Sequence, residues 1–262
     1  MERIMKWPEL MLLIRHDVST YNKLKELKAE SSLYQEFVAE FKADSTSKKA
    51  RELALKVKSE FSLKVGDADT PLLDEESERA KKVGKALKER YSDKLPHVIF
   101  VSPYRRTRYT LDGLMRGWPE LSEVKIVEEE RIREQEHGLA LIYNDYKVFH
   151  TLHPEQKELS EIEGSYWYRY PQGENVPDVR ERNRSWVNAV VRDFAQKRIL
   201  VVTHHLCILS LMANFERWGA QKFIEVDKND KPGNCSVTTY RGYPKLSTNG
   251  KFLLDKYNEL LW

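Results

Sequence analysis

The sequence predicts an α/β fold, a three-layer sandwich in which a mostly parallel central sheet lies between layers of helices. Two observations carry that expectation: three apolar runs of strand length, each ending at once on cationic or imidazole side chains, and amphipathic helical stretches between them. Leu10 to Ile14 runs into Arg15-His16, His97 to Val101 into Ser102-Pro103 and then Arg105-Arg106, and Ile199 to Val202 into Thr203-His204-His205. A weaker fourth strand, Val124 to Val127, leads to Arg131, Arg133 and Glu134. The runs are continuous rather than alternating, which is the pattern of strands buried on both faces.

Helices are expected between them. Glu75 to Tyr91 places Ala80, Val83 and Leu87 on one stripe, and Asp178 to Phe194 does the same with Val179, Asn183, Trp186, Val187, Val190 and Phe194. Leu206 to Trp218 reads as a helix stopped by Gly219. Residues 23–66 interrupt the alternation as a helical insertion. Tyr34, Phe37, Val38 and Phe41 form one stripe, and Ala50, Leu53, Ala54, Val57 and Phe61 a second, separated by the breaker Asp44-Ser45-Thr46-Ser47. A hairpin packed on the core is the simplest reading, with a lid or an oligomer contact as alternatives.

At 262 residues, 40% hydrophobic and 32% charged, the chain suits one globular domain over residues 1–262 and not a disordered segment. Its 44 basic and 41 acidic residues nearly cancel at +3, so overall charge calls for neither nucleic acid nor a membrane surface as partner. Met1 to Leu13 lacks the basic and apolar regions of an export signal, and no run of about 18 apolar residues occurs. With only Cys207 and Cys235, a reducing, cytoplasmic setting is expected.

In open α/β sheets ligands sit beyond the carboxyl ends of the strands, where the charged run-ends would converge. Unpaired cations are expensive to bury around an apolar ligand but fit a phosphate. Arg15 and Arg106 offer planar forks of donors, and an imidazolium at His204 would add a third charge-assisted donor. His16, at a strand end with its second nitrogen fixed, is a competent nucleophile toward phosphorus. Glu134 is the candidate acid for the leaving oxygen and, later, the base for water, with Glu136 as rival.

These motifs resemble the histidine phosphatase superfamily, or phosphoglycerate mutase-like fold, over most of residues 9–240 apart from the insertion. Leu13-Ile14-Arg15-His16, followed by Asn22, is similar to the signature of strand, Arg, nucleophilic His and later Asn. Pro71-Leu72 with Ala80 resembles the segment that follows it. Ser102-Pro103-Tyr104-Arg105-Arg106-Thr107-Arg108-Tyr109-Thr110 resembles the family's Ser-Pro-Leu-x-Arg-Ala-x-x-Thr, which assigns the clamp to Arg106 and auxiliary places to Arg105 and Arg108. Arg133-Glu134-Gln135-Glu136-His137-Gly138 resembles the acid's stretch, and Val201 to His205 the strand bearing the second pocket His, His204. Tyr168 to Asn175 with Asp178 and Arg182 looks like a further family block, and Asn234-Cys235-Ser236-Val237 resembles a late edge strand.

The resemblance implies catalytic roles for His16, Glu134, His204, Arg15 and Arg106, phosphate binding by Arg15, Asn22, Arg106 and His204, and no metal or organic cofactor. Asp17, Val18 and His205 depart from the pattern, standing where the family has Gly, often Glu, and commonly Gly. A carboxylate at Asp17 would repel phosphate unless it points away or is neutralised by Arg15 or Arg106.

The expected activity is metal-independent hydrolysis of a small phosphate monoester through a phosphohistidine on His16. The alternatives are phosphoglycerate mutase-type transfer and a catalytically degenerate phospholigand-binding protein. The stretch after Glu134 is nearer the phosphatase-like branch than the His-Tyr-Gly of mutases. The partner expected is a small phosphorylated substrate, with a homo-oligomer possible. His150 and His153 lack the neighbours of a metal set, and the aromatics from Tyr166 to Tyr170 read as an anchor in the core sooner than as a stacking surface.

Overall fold

A computed structural model describes residues 5–262. Six strands form one sheet: β1 (Leu10–Arg15), β2 (Val98–Val101), β3 (Ile126–Glu128), β4 (Arg198–Thr203), β5 (Val237–Tyr243) and β6 (Lys251–Glu259). Their order is β3-β2-β4-β1-β5-β6. The first four are mutually parallel, and β5 and β6 are antiparallel additions. The three-layer α/β expectation is therefore met.

The continuous apolar runs have the cause expected of them. In β1, Met11 and Leu13 point to one face, packed with Val201, Trp186, Val190 and Leu209. Leu10, Leu12 and Ile14 point to the other, packed with Leu200, Val83, Leu87 and Leu114. The first face is covered by α8 (Val176–Asp193) and α9 (His205–Phe215), the second by α4 (Glu78–Tyr91) and α5 (Arg105–Gly117). Helices α4 and α5 lie close enough that a Cβ at Gly84 would collide with the Leu114 carbonyl.

Several boundaries shift for local reasons. Helix α4 starts at Glu78, not Glu75, because the Asp74 carboxylate takes the N–H groups of Glu76 and Glu78 while Ser77 adopts a left-handed φ of 47°. Helix α8 starts at Val176, capped by the reciprocal Asn175–Asp178 bonds, since Pro177 is tolerated in a first turn. Helix α9 ends at Phe215 rather than Trp218. Arg217 turns left-handed and the Trp218 N–H returns to the Ala213 carbonyl, so Gly219 caps the start of α10 (Ala220–Asn229) instead. The fourth strand begins at Ile126, after a 3-10 turn at Pro119–Glu123. The segment around Val237 is not an edge: β5 lies between β1 and β6.

The insertion is helical, as α1 (Thr20–Glu30), α2 (Ser32–Asp44) and α3 (Lys48–Phe61). Its two stripes meet α6 (Tyr146–Leu152), with Phe37, Leu53, Val57 and Phe61 against Val148 and Phe149. That cluster is separate from the two beside the sheet. A buried ion pair ties it down: Lys28 Nζ donates to Asp145 Oδ2 and to the Asn144 carbonyl, both at 2.7 Å, and Tyr34 Oη donates to the same carboxylate. Helix α7 (Pro154–Glu163) follows α6. Among the described residues no helix is long and apolar enough to cross a membrane.

Candidate active site

The parallel topology brings the ends of β1, β2 and β4 side by side, so Arg15-His16, Ser102 and Thr203-His204 are neighbours. Arg15, His16, Asn22, Arg106 and Glu134 all line one cavity of about 370 Å³.

His16 is buried and its orientation is fixed. Nδ1 lies 2.6 Å from the Asp17 carbonyl oxygen, which can only accept, so Nδ1 carries the proton and Nε2 keeps its lone pair. Burial, then the charges of Arg106 and Arg15, push its pKa well below the usual histidine range. The imidazole is neutral near pH 7, the form a nucleophile needs.

Arg15 Nη1 donates to the Pro232 carbonyl at 2.7 Å, while its buried Nε has no protein partner. Arg106 lies over the Tyr104 ring, 4.7 Å from its centre. Its fork is closed on Asp67, with Nη1 at 2.6 Å from the carbonyl and 3.0 Å from the carboxylate. Asn22 completes a capping box with Ser19, and Asn234 Nδ2 holds the His16 carbonyl at 2.9 Å. Glu134 presents its carboxylate to the cavity; its Oε1 accepts from the Gln135 N–H, and its carbonyl is held by Arg182. The rival Glu136 instead pairs with Arg133 at 2.9 Å and does not line this cavity.

His204 differs from the expectation. It is fully buried behind His16, with ring centres 5.2 Å apart, and is not among the residues lining the cavity. Nε2 is bonded to Ser102 Oγ at 2.8 Å and Nδ1 has no protein partner. Burial, then Arg106 and His16, drive its pKa far down, so here it is a neutral ring and not the imidazolium expected from sequence. Leaving a buried polar nitrogen unpaired costs about 1–3 kcal/mol. The orphaned Nδ1 of His204 and Nε of Arg15 thus mark a polar region that a ligand rich in acceptors suits.

The Asp17 carboxylate does not line the cavity. It accepts a hydrogen bond from the Ser77 hydroxyl at 2.8 Å, and its charged partner is Arg79 at 3.6 Å, not Arg15 or Arg106. Arg105 and Arg108 also point elsewhere, paired with Glu75 and Glu128.

Sequence reasoning missed part of the wall. Lys25 and Lys231 add cations, and Asp67 an anion, to the wall. His205 lines it too, with Nε2 at 2.6 Å from Asp227 Oδ1. The doubled His204-His205 was a visible signal; Asp67 and Lys231 sit in polar segments with none. Among the described residues no cluster of three or more His, Cys, Asp or Glu is placed to hold a metal ion.

The structure is thus an α/β protein with a cationic, histidine-bearing cavity at the ends of its parallel strands. Residues 58–250 match the histidine phosphatase superfamily, branch 1, and the chain belongs to that superfamily. The matched segment contains Arg106, Glu134 and His204 but begins after Arg15 and His16. Phosphoglycerate mutase-like protein AT74H of Arabidopsis thaliana is 27% identical over 187 residues, 64% of this chain and 63% of that protein. A second protein of that plant, phosphoglycerate mutase-like protein AT74, is 28% identical over 149 residues, 53% of this chain and 44% of its own. The chain thus spans less than two thirds of the length of either relative.

Among solved structures, a mycobacterial glucosyl-3-phosphoglycerate phosphatase in complex with inorganic phosphate superposes with a TM-score of 0.62 at 18% identity, covering 97% of this chain and 98% of that one. YhfR of Bacillus stearothermophilus gives 0.63 at 18% identity, covering 95% and 96%. At such identities these likenesses speak for the fold alone.

Proposed function

We propose that this protein is a metal-independent phosphatase that hydrolyses a small phosphate monoester through a phosphohistidine on His16. The observation that carries the reading is the His16 ring, held by its Nδ1–H on the Asp17 carbonyl so that a neutral Nε2 shares one cavity with two guanidinium groups and a carboxylate.

In the first step the Nε2 lone pair attacks phosphorus, the ester P–O bond breaks, and the leaving oxygen takes a proton from the Glu134 carboxyl. Arg15 and Arg106 balance charge on the equatorial oxygens, where catalysis of phosphoryl transfer mainly resides. In the second step water attacks the phosphorus and gives its proton to Glu134. The P–N bond breaks, inorganic phosphate leaves, and His16 is restored. Arg106 must first release Asp67, so substrate phosphate replaces one anion with another. His204 acts from behind, packed edge to face on His16 and bonded to Ser102, and so positions the nucleophile's ring.

The test is release of inorganic phosphate from a panel of phosphate esters with chelator present, wild type beside His16→Ala. Turnover that ignores chelator and vanishes in the variant is expected. Isomerised ester without released phosphate would instead mark a mutase, and phosphate or vanadate binding without turnover a phospholigand-binding protein.

A further inference from the structure

The phosphate cavity does not end at its own walls. Gln135, His137, Leu206 and Asp227 are shared with a larger cavity, of about 490 Å³. Its other surfaces come from Tyr146, His150, Tyr166, Tyr168, Tyr170 and Phe223. Its size is within the range of pockets for small organic ligands, and rings make up much of its surface beside the polar side chains of Gln135, Ser160, Ser165 and Asp227.

Charge separates this cavity from a second neighbour of the phosphate site. That one, about 330 Å³, is reached past Tyr21, Lys25, His137 and Leu141 and holds three lysines. Those lysines are engaged: Lys28 is bonded to Asp145, Lys147 lies 4.3 Å over the Tyr146 ring, and Lys25 lies 4.3 Å over the Tyr21 ring. The aromatic cavity contains no Lys or Arg, and its one carboxylate, Asp227, is bonded to His205. A second anion on the substrate would find no lysine or arginine there, whereas a flat uncharged ring would bury its faces against tyrosine and phenylalanine.

We propose that this aromatic cavity is the subsite for the alcohol half of the ester, and that the preferred substrate is the phosphate of an uncharged, ring-bearing alcohol. The proposal rests on the phosphatase reading of the adjoining site. The rings of Tyr166, Tyr168 and Tyr170 then serve both readings, anchoring the segment and facing the substrate.

The experiment compares kcat/KM for phenethyl phosphate, ethyl phosphate and phosphoglycerate in wild type, Tyr146→Ala and Ser165→Trp. Tyr146 is half exposed and Ser165 is exposed at the cavity, so neither change empties the core. Wild type is expected to favour the phenethyl ester over the ethyl ester by at least about tenfold, the scale of burying one such ring. Both variants should lose about tenfold on the phenethyl ester and stay within about twofold on the ethyl ester. Equal rates on the two esters, equal losses on both in the variants, or a preference for phosphoglycerate overturns the inference while leaving the phosphatase reading standing. If wild type hydrolyses no ester, the phosphatase reading falls and this inference with it.

Discussion

The phosphate cavity and the aromatic cavity share a wall but are built in opposite ways. The first is built around the carboxyl ends of the parallel strands, with Arg15 closing β1, His16 next to it, Arg106 in the helix after β2 and Glu134 in the loop after β3. The second is made of rings from α6, α10 and the Ser165–Tyr170 connection, far from any strand end. In the proposed reading the sheet sets the chemistry, which does not depend on the alcohol, while loops and helices select the alcohol. The two can therefore be disturbed separately.

The largest effect should come from the nucleophile. His16→Ala is expected to lower kcat by at least about a thousandfold, as loss of a nucleophile does elsewhere, measured by phosphate release. An unchanged melting temperature would separate chemistry from folding. Glu134→Gln should cost about 10²- to 10⁴-fold in kcat, the range for a positioned acid or base. It should keep vanadate binding, whereas removing a merely structural Glu134 would weaken both.

A different kind of break comes from the clasp under the insertion. Lys28→Met leaves the Asp145 carboxylate buried without its ammonium, and urea unfolding should show a loss of about 3–5 kcal/mol. Because α1 also carries Tyr21, Asn22 and Lys25 into the phosphate cavity, KM should rise in the same variant. A stability loss below about 1 kcal/mol would mean that the pair is screened as surface pairs are.

Acid should act through His16 and His204. Both are held neutral well below the usual histidine pKa, so between that depressed value and about 6.5 the unfolded chain binds protons that the folded one does not. Stability is then full above about pH 6.5 and falls as the pH drops further, which thermal melts will read. The acidic limb of kcat/KM should likewise lie below pH 6.5, since protonated His16 has no lone pair to offer. The smallest effect expected is from Asp67→Asn. Freeing the Arg106 fork from a competing carboxylate should tighten inorganic phosphate as an inhibitor by up to about tenfold, the equivalent of 1.4 kcal/mol; weaker inhibition would mean that Asp67 positions Arg106 instead.

What could be read from sequence follows the same division. The strands were legible because burial on both faces forces unbroken apolar runs, and the cationic ends because they follow those runs directly. The order of the strands was not, and β6 was missed altogether: of its nine residues only Phe252 is buried, so no apolar run marks it. Within the site, Asp67 was invisible because it joins Arg106 across 39 residues of chain, through a turn with no apolar pattern. The pairing of His205 with Asp227 depends on how α10 packs beside α9. The burial of His204 and its bond to Ser102 depend on the parallel pairing of β2 with β4, which no run of residues announces.

The central claim is that phosphorus passes through His16 Nε2. It is tested most directly by mixing enzyme with a hydrolysed ester, quenching in alkali within the turnover time, and mapping the added phosphoryl mass to a peptide. The account predicts one phosphoryl group on the peptide containing His16, absent from His16→Ala. A burst of phosphate release with no labelled histidine, or label on another residue, would contradict it.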